Sequence, residues 1–143
     1  MSRSTAREVA MKQLYAHECK GECDYRFALQ AREEEDDLSL TPSKNDEWFA
    51  AQLFHGVLEN MDKTDEHIVA QSKGWKIDRI ALTERIILRL AIFEMLFCEE
   101  IPVSASINEA VELAKRYGSN DRAGAYVNGV LGAISRSHKD ETS

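Results

Sequence analysis

The stretch TERIILRLAIFEMLF, Thr83–Phe97, is apolar on nearly every helical face: Ile86, Ile87, Leu88, Leu90, Ala91, Ile92, Phe93, Met95, Leu96 and Phe97 leave no side for water. A helix of this kind is stable only when other helices surround it, so it is read as the centre of the fold. Burying about six large side chains at roughly 1.5–3 kcal/mol each would contribute on the order of 10 kcal/mol before conformational entropy is counted. Glu84, Arg85, Arg89 and Glu94 interrupt the apolar run. Arg85 and Arg89 share a face, and each must reach water or a carboxylate, because a lone buried charge is very costly. The structural reading is an internal ion pair that fixes helix order, and the functional one is a binding role.

Other helices are placed around this one by periodicity. Thr5 and Glu8 form a T-x-x-E pattern that would open a first helix, with Ala6, Val9, Ala10, Gln13 and Leu14 along one stripe and Gly21 as its stop. A short helix is expected over Tyr25–Ala31, then an acidic loop with Pro42, and Ser43 or Asn45 as the next cap. Phe49, Ala50, Leu53, Phe54, Val57, Leu58 and Met61 repeat at helical spacing, followed by a weaker helix over Thr64–Ser72 and a short turn packing Trp75, Ile77 and Ile80. The central helix ends before Pro102. Ser106 and Glu109 then read as a second capping pair, with Gly118 in the left-handed position after that helix. Ser119, Asn120 or Asp121 opens the last one. With two prolines, seven glycines, no alternating strand pattern and no repeat, the expected fold is all-α, a bundle of about seven helices.

At 143 residues the chain has the size of one domain with a real core, and it is treated as a single domain over 1–143. No apolar run approaches the roughly 18–20 residues of a membrane span, and the N-terminus lacks an apolar signal core, so a cytoplasmic location without membrane attachment is expected. Cys19, Cys23 and Cys98 are odd in number and far apart, which favours free thiols over a disulfide framework; His17, Cys19 and Cys23 match no zinc spacing. No metal or cofactor is expected. There is no phosphate-cradling glycine loop, no G-x-S-x-G turn and no H-E-x-x-H motif. Cys98 reads as a core thiol and His55 as a packed or surface histidine, so an enzyme is not indicated.

The net charge of −7 is uneven: residues 1–20 carry +2, residues 21–66 carry −9, and the rest balance. The run REEEDD, Arg32–Asp37, reads as a solvated loop. Against this acidity Arg3, Arg7 and Lys12 stand about one turn apart on what is expected to be the exposed side of the first helix, where a polyanion would be steered. Near the other end, AYVNGVL (125–131) sets an Asn-Gly pair, a strong turn signal, among apolar residues at helical spacing from Tyr126 to Ile134. Spacing outweighs the dipeptide. A glycine inside a helix costs about 1 kcal/mol and calls for a reason, and close packing of Gly129 against the central helix is the structural one.

INEAVELAKRYG followed by YVNGVL, with REVAMKQLYA, FHGVLENMDKTDEHI and ERIILRLAIFEM upstream in the same order, resembles the NusB family of bacterial transcription antitermination factors over nearly the whole chain. The resemblance implies a helical bundle of two three-helix-like halves and a non-enzymatic, RNA-binding activity. With the small-subunit ribosomal protein NusE it would hold boxA-type RNA of ribosomal RNA leaders and act in the antitermination complex of RNA polymerase. By the same resemblance, Arg3, Arg7, Lys12, Arg122, Tyr126, Asn128 and Gly129 map to RNA, and Tyr15 and Glu84 to NusE. The chemistry is apt: arginines contact phosphates, and an aromatic ring stacks on an unpaired base.

Two departures from the family pattern lower the RNA affinity expected of the isolated chain. Only Arg3 precedes Arg7, where relatives carry a longer arginine cluster, and Ala125 stands where a basic residue usually precedes the aromatic, leaving Arg122 to supply that charge. The alternative is a helical adaptor that recognises a basic ribosomal protein without specific RNA recognition. A third class, the N-terminal part of a ribosomal RNA cytosine methyltransferase, is disfavoured because the chain ends at Ser143 without a catalytic domain. Monomer and homodimer stay open for the free chain.

Overall fold

The structure, a computed structural model, describes residues 2–19, 44–71 and 76–142. The expected helix Tyr25–Ala31, the run Arg32–Asp37, Gly21, Cys23, Pro42, Ser43 and Trp75 lie outside the described residues. Within them are six α-helices, one 3₁₀ turn and no strand, so the chain is all-α. It divides into two compact units, Met1–His55 and Gly56–Ser143.

In the first unit, α1 (Ser2–Cys19) buries Ala6, Ala10, Met11 and Leu14, a stripe at helical spacing. The helix is already running at Ser2, so Thr5 lies inside it rather than at its cap. Helix α2 (Lys44–Glu59) turns Phe49, Ala50 and Leu53 inward, and Asn45 sits within it. The two helices meet through Phe54, whose ring stands edge-on to His17 at 5.9 Å. His55 also packs edge-on against Phe54, at 5.2 Å, while its own surface is exposed. Cys19 is disulfide-bonded, which corrects the expectation of a free thiol there; Cys98 is a buried thiol outside any disulfide.

The end of α2 belongs to the second unit. There Asn60 terminates the helix, donating both its backbone N–H and its side-chain amide to the Gly56 carbonyl, at 3.1 and 2.8 Å. Helix α3 (Met61–Gln71) starts one residue later and buries Thr64 and Ile68. A 3₁₀ turn, Ile77–Arg79, leads through buried Ile80 into α4 (Leu82–Phe97), the central helix anticipated above. Helix α4 buries ten consecutive-face residues including Ile86, Ile87, Leu88, Leu90 and Ile92, and packs against α3, α5 (Val103–Tyr117) and α6 (Ala123–Thr142).

The buried Arg89 of this helix is paired, as the cost of a lone buried charge demands. Arg89, 5 % exposed, makes a two-pronged contact with Asp65 of α3: Nε donates to Oδ1 at 2.8 Å and Nη2 to Oδ2 at 3.1 Å. Arg85 donates through Nη2 to the Ile80 carbonyl at 3.1 Å. Buried Glu94 accepts from the Ser106 hydroxyl at 3.2 Å. That contact corrects the capping expectation: α5 begins at Val103 behind Pro102, so Ser106 is a full turn inside and its hydroxyl serves a tertiary bond.

Gly118 also departs from expectation. It ends α5 in extended backbone, φ −64° and ψ 161°, so no left-handed conformation is involved. Space is the reason instead: a Cβ there would overlap the Ala114 carbonyl oxygen and the Ala123 methyl. The close helix approach expected of Gly129 is made by Gly56, where a Cβ would run into the Phe93 ring of α4. Gly129 is exposed, with nothing within 4 Å of the position its Cβ would take. Gly129→Ala is therefore expected to raise stability by about 0.5–1 kcal/mol through helix propensity alone. A higher denaturation midpoint at unchanged slope checks this; a lower one would refute it.

Candidate nucleic-acid interface

The candidate residues fall into both units. On α1, Arg3 is exposed and its guanidinium lies 5.1 Å over the Phe49 ring. Arg7, one turn on, stacks over the same ring at 5.7 Å and is only 5 % exposed. Lys12 is 4 % exposed and paired with Glu8 at 3.2 Å. The expected exposed basic stripe is thus corrected: of the three, Arg3 alone stands open to water. Arg7 lies over the Phe49 ring because a long basic side chain can cover apolar surface, and Lys12 turns to Glu8. Tyr15, farther along α1, is half-buried.

In the second unit three candidates converge. The α5–α6 turn is built by Asn120, whose side-chain oxygen accepts the Arg122 N–H at 2.8 Å, an Asx turn that opens α6. Glu84 of α4 reaches the same turn and accepts the Ser119 N–H at 2.5 Å through Oε1. Glu84 is 3 % exposed, and its Oε2 has no hydrogen-bond partner among the described residues. Glu84, Arg122 and Tyr126, with Arg79 from the 3₁₀ turn and Asn120, line a cavity of about 660 Å³. Tyr126 is 40 % exposed at this cavity. Burial first, and the Glu84 charge second, push its phenol above the usual range, so the hydroxyl stays protonated at neutral pH.

Asn128 and Gly129 do not enter the cavity; both are exposed on α6. The sequence reading assigned Glu84 to one partner and Tyr126 to another, yet the fold places them side by side. It also missed Arg79, because a lone arginine in the ambiguous WKIDRIAL carries no periodic signal that would turn it toward the α5–α6 turn.

Fold and site define an all-helical protein that offers an aromatic ring and arginines around one buried carboxylate. The NusB family model matches residues 4–136. The transcription antitermination protein NusB of Bacillus subtilis (strain 168) is 46 % identical over 134 residues, covering 94 % of this chain and 95 % of its own. Among solved structures, NusB of T. maritima superposes with a TM-score of 0.77 at 33 % identity, covering 95 % of this chain and 92 % of its own. A structure of the antitermination factors NusB and NusE in complex with dsRNA gives a TM-score of 0.74 at 28 % identity, covering 95 % of this chain and 97 % of its own. The chain belongs to the NusB family. No described helix is long and apolar enough to cross a membrane.

Proposed function

We propose that this chain is a cytoplasmic, non-enzymatic transcription antitermination factor. It binds boxA-type RNA of ribosomal RNA leaders together with NusE and promotes antitermination by RNA polymerase. The observation that carries this is the match of nearly the whole chain to a fold solved with NusE and double-stranded RNA, combined with the exposed Arg122 on the α5–α6 turn and Tyr126 in the first turn of α6. The family model runs through both compact units, which supports one NusB-type domain over residues 1–143. Arg3 and Arg122 supply phosphate contacts, Tyr126 supplies a stacking face, and Asn128 and Gly129 extend the exposed surface of α6. Arg7 holds Arg3's neighbourhood over Phe49 and contacts RNA only at its edge, and Lys12 is a weaker RNA candidate than its charge suggested. Tyr15 is the NusE contact proposed on α1.

The test is a binding titration of boxA-type and scrambled RNA, with and without NusE, across a salt series. A preference for boxA-type RNA in the presence of NusE is expected, and loss of preference under both conditions would overturn the proposal. Arg3→Ala should weaken binding and reduce the slope of log K against log salt by about 0.7 for one phosphate on a single strand. An unchanged slope removes Arg3 from the phosphate contacts.

A further inference from the structure

Glu84 is an acidic side chain closed to any ligand. It is 3 % exposed, and Oε2 is buried without a donor among the described residues. Its charge is tolerated because it stands in the first turn of α4, at the positive end of the helix dipole. From there the carboxylate grips a distant part of the chain. Oε1 accepts the Ser119 N–H at 2.5 Å, across 35 residues of sequence. Gly118 leaves room for this contact, since a Cβ there would come within 2.9 Å of the same oxygen. A charge-assisted bond is roughly twice as strong as a neutral one, so it holds the turn firmly.

Arg122 lies three residues beyond Ser119. Its N–H is held by the Asn120 side-chain oxygen at 2.8 Å, and its carbonyl accepts the Tyr126 N–H at 2.9 Å. Its side chain is exposed and pairs with no carboxylate among the described residues. The backbone is fixed and the guanidinium is free. A contact built this way is aimed before its ligand arrives, which spares the cost of ordering a loop on binding.

We propose that Glu84 is a positioning residue: touching neither RNA nor NusE, it latches the α5–α6 turn to the central helix and sets the backbone from which Arg122 meets a phosphate. The proposal rests on the RNA-binding function above and deepens it by adding a residue that acts through another. It differs from direct contact with NusE, the role that resemblance implies, because a carboxylate buried on both oxygens offers a partner no surface. Without the Glu84 acceptor, the Asn120 bond still shapes the turn locally, but that bond does not reach α4. The turn would keep its form and lose its anchor.

The test uses the full chain with NusE and boxA-type RNA across a salt series. Arg122→Ala should weaken binding and reduce the slope of log K against log salt by about 0.7, one single-strand phosphate contact. Glu84→Ala should lose the same slope, and the double variant should bind no more weakly than Arg122→Ala, because both changes remove one contact. A variant that is merely less folded loses binding amplitude and keeps the slope. Glu84→Gln retains an acceptor for Ser119 and should keep the slope, with affinity lowered about threefold by the weaker neutral bond. Ser119→Pro breaks the bond from the other side and should match Glu84→Ala; Gly118 before it already has the extended backbone that a following proline requires. In the unaltered chain, the Ser119 amide should resist hydrogen exchange although Ser119 is exposed. Free exchange of that amide overturns the latch with no variant needed. An unchanged slope in Glu84→Ala beside a reduced one in Arg122→Ala also overturns it and leaves the RNA-binding function standing. Loss of NusE binding in Glu84→Gln, with the Ser119 amide still protected, overturns it too and assigns the carboxylate to the partner protein. An unchanged slope in Arg122→Ala removes Arg122 from the phosphate contacts and the latch with it. No binding of boxA-type RNA by the unaltered chain overturns the parent proposal and the latch together.

Discussion

Asp65→Ala is expected to destabilise the protein by about 3 kcal/mol, the low end of the cost of stripping one partner from a buried ion pair. Arg89 is the reason. Its side chain is 6 % exposed, against 24 % for Asp65, so deleting the carboxylate leaves a guanidinium that cannot reach water without breaking the packing of α4. The partial exposure of Asp65 places the effect at the low end of the range. Asp65→Asn retains one acceptor and should lose roughly half as much. The decisive comparison is the double variant Asp65→Ala/Arg89→Met, which removes both charges and keeps an apolar stem. Chemical denaturation should find it more stable than Asp65→Ala alone, because the uncompensated charge is gone. A double variant that loses the sum of the two single effects would show that the pair is not the source of the loss.

This ion pair also marks where sequence reasoning reaches and stops. The need for a carboxylate near Arg89 follows from an arginine inside an apolar run. Its identity does not, because Asp65 stands on another helix and nothing local distinguishes it from its exposed acidic neighbours Asp62 and Glu66. The position of α4 was legible for the opposite reason: when every face is apolar, no tertiary knowledge is needed to put a helix at the centre. Helix starts were the weakest readings. Thr5-x-x-Glu8 and Ser106-x-x-Glu109 have the right spacing for capping boxes, yet both fall inside helices, and Ser106 serves Glu94 instead. A hydroxyl and a carboxylate three residues apart are compatible with either use.

The candidate site was legible as residue types and not as a place. Tyr126, Arg122 and Glu84 came from family resemblance with separate roles, and the fold gathers them into one cavity through Asn120's turn and the Glu84–Ser119 bond. The basic stripe on α1 was misjudged because spacing along one helix cannot reveal that Phe49 of α2 offers a ring to both Arg3 and Arg7. Charge counted from sequence is an upper bound on charge presented to a ligand. Here that bound drops from three α1 cations to one, which strengthens the expectation that RNA binding depends on NusE.

Gly56→Ala is expected to destabilise by about 1–3 kcal/mol, although alanine is the better helix former. The methyl would overlap three atoms of the Phe93 ring, and Phe93 has little freedom to retreat. It is 5 % exposed and packed at 5.2 Å against Phe97, whose own ring lies 5.7 Å from the Lys63 ammonium. Overpacking therefore outweighs the gain of roughly 1 kcal/mol from helix propensity. A second substitution tests the mechanism. Phe93→Leu alone should cost stability by leaving a cavity, but combined with Gly56→Ala it should cost less than the two losses added, since each change relieves the other. Additive losses would place the strain elsewhere. The same Gly→Ala change at Gly129, where the Cβ meets open space, should move stability in the other direction. Opposite signs for one chemical change in two helices of one protein would separate a glycine kept for packing from one whose helix has no need of it, and leave the exposed backbone at Gly129 to be explained by what binds there.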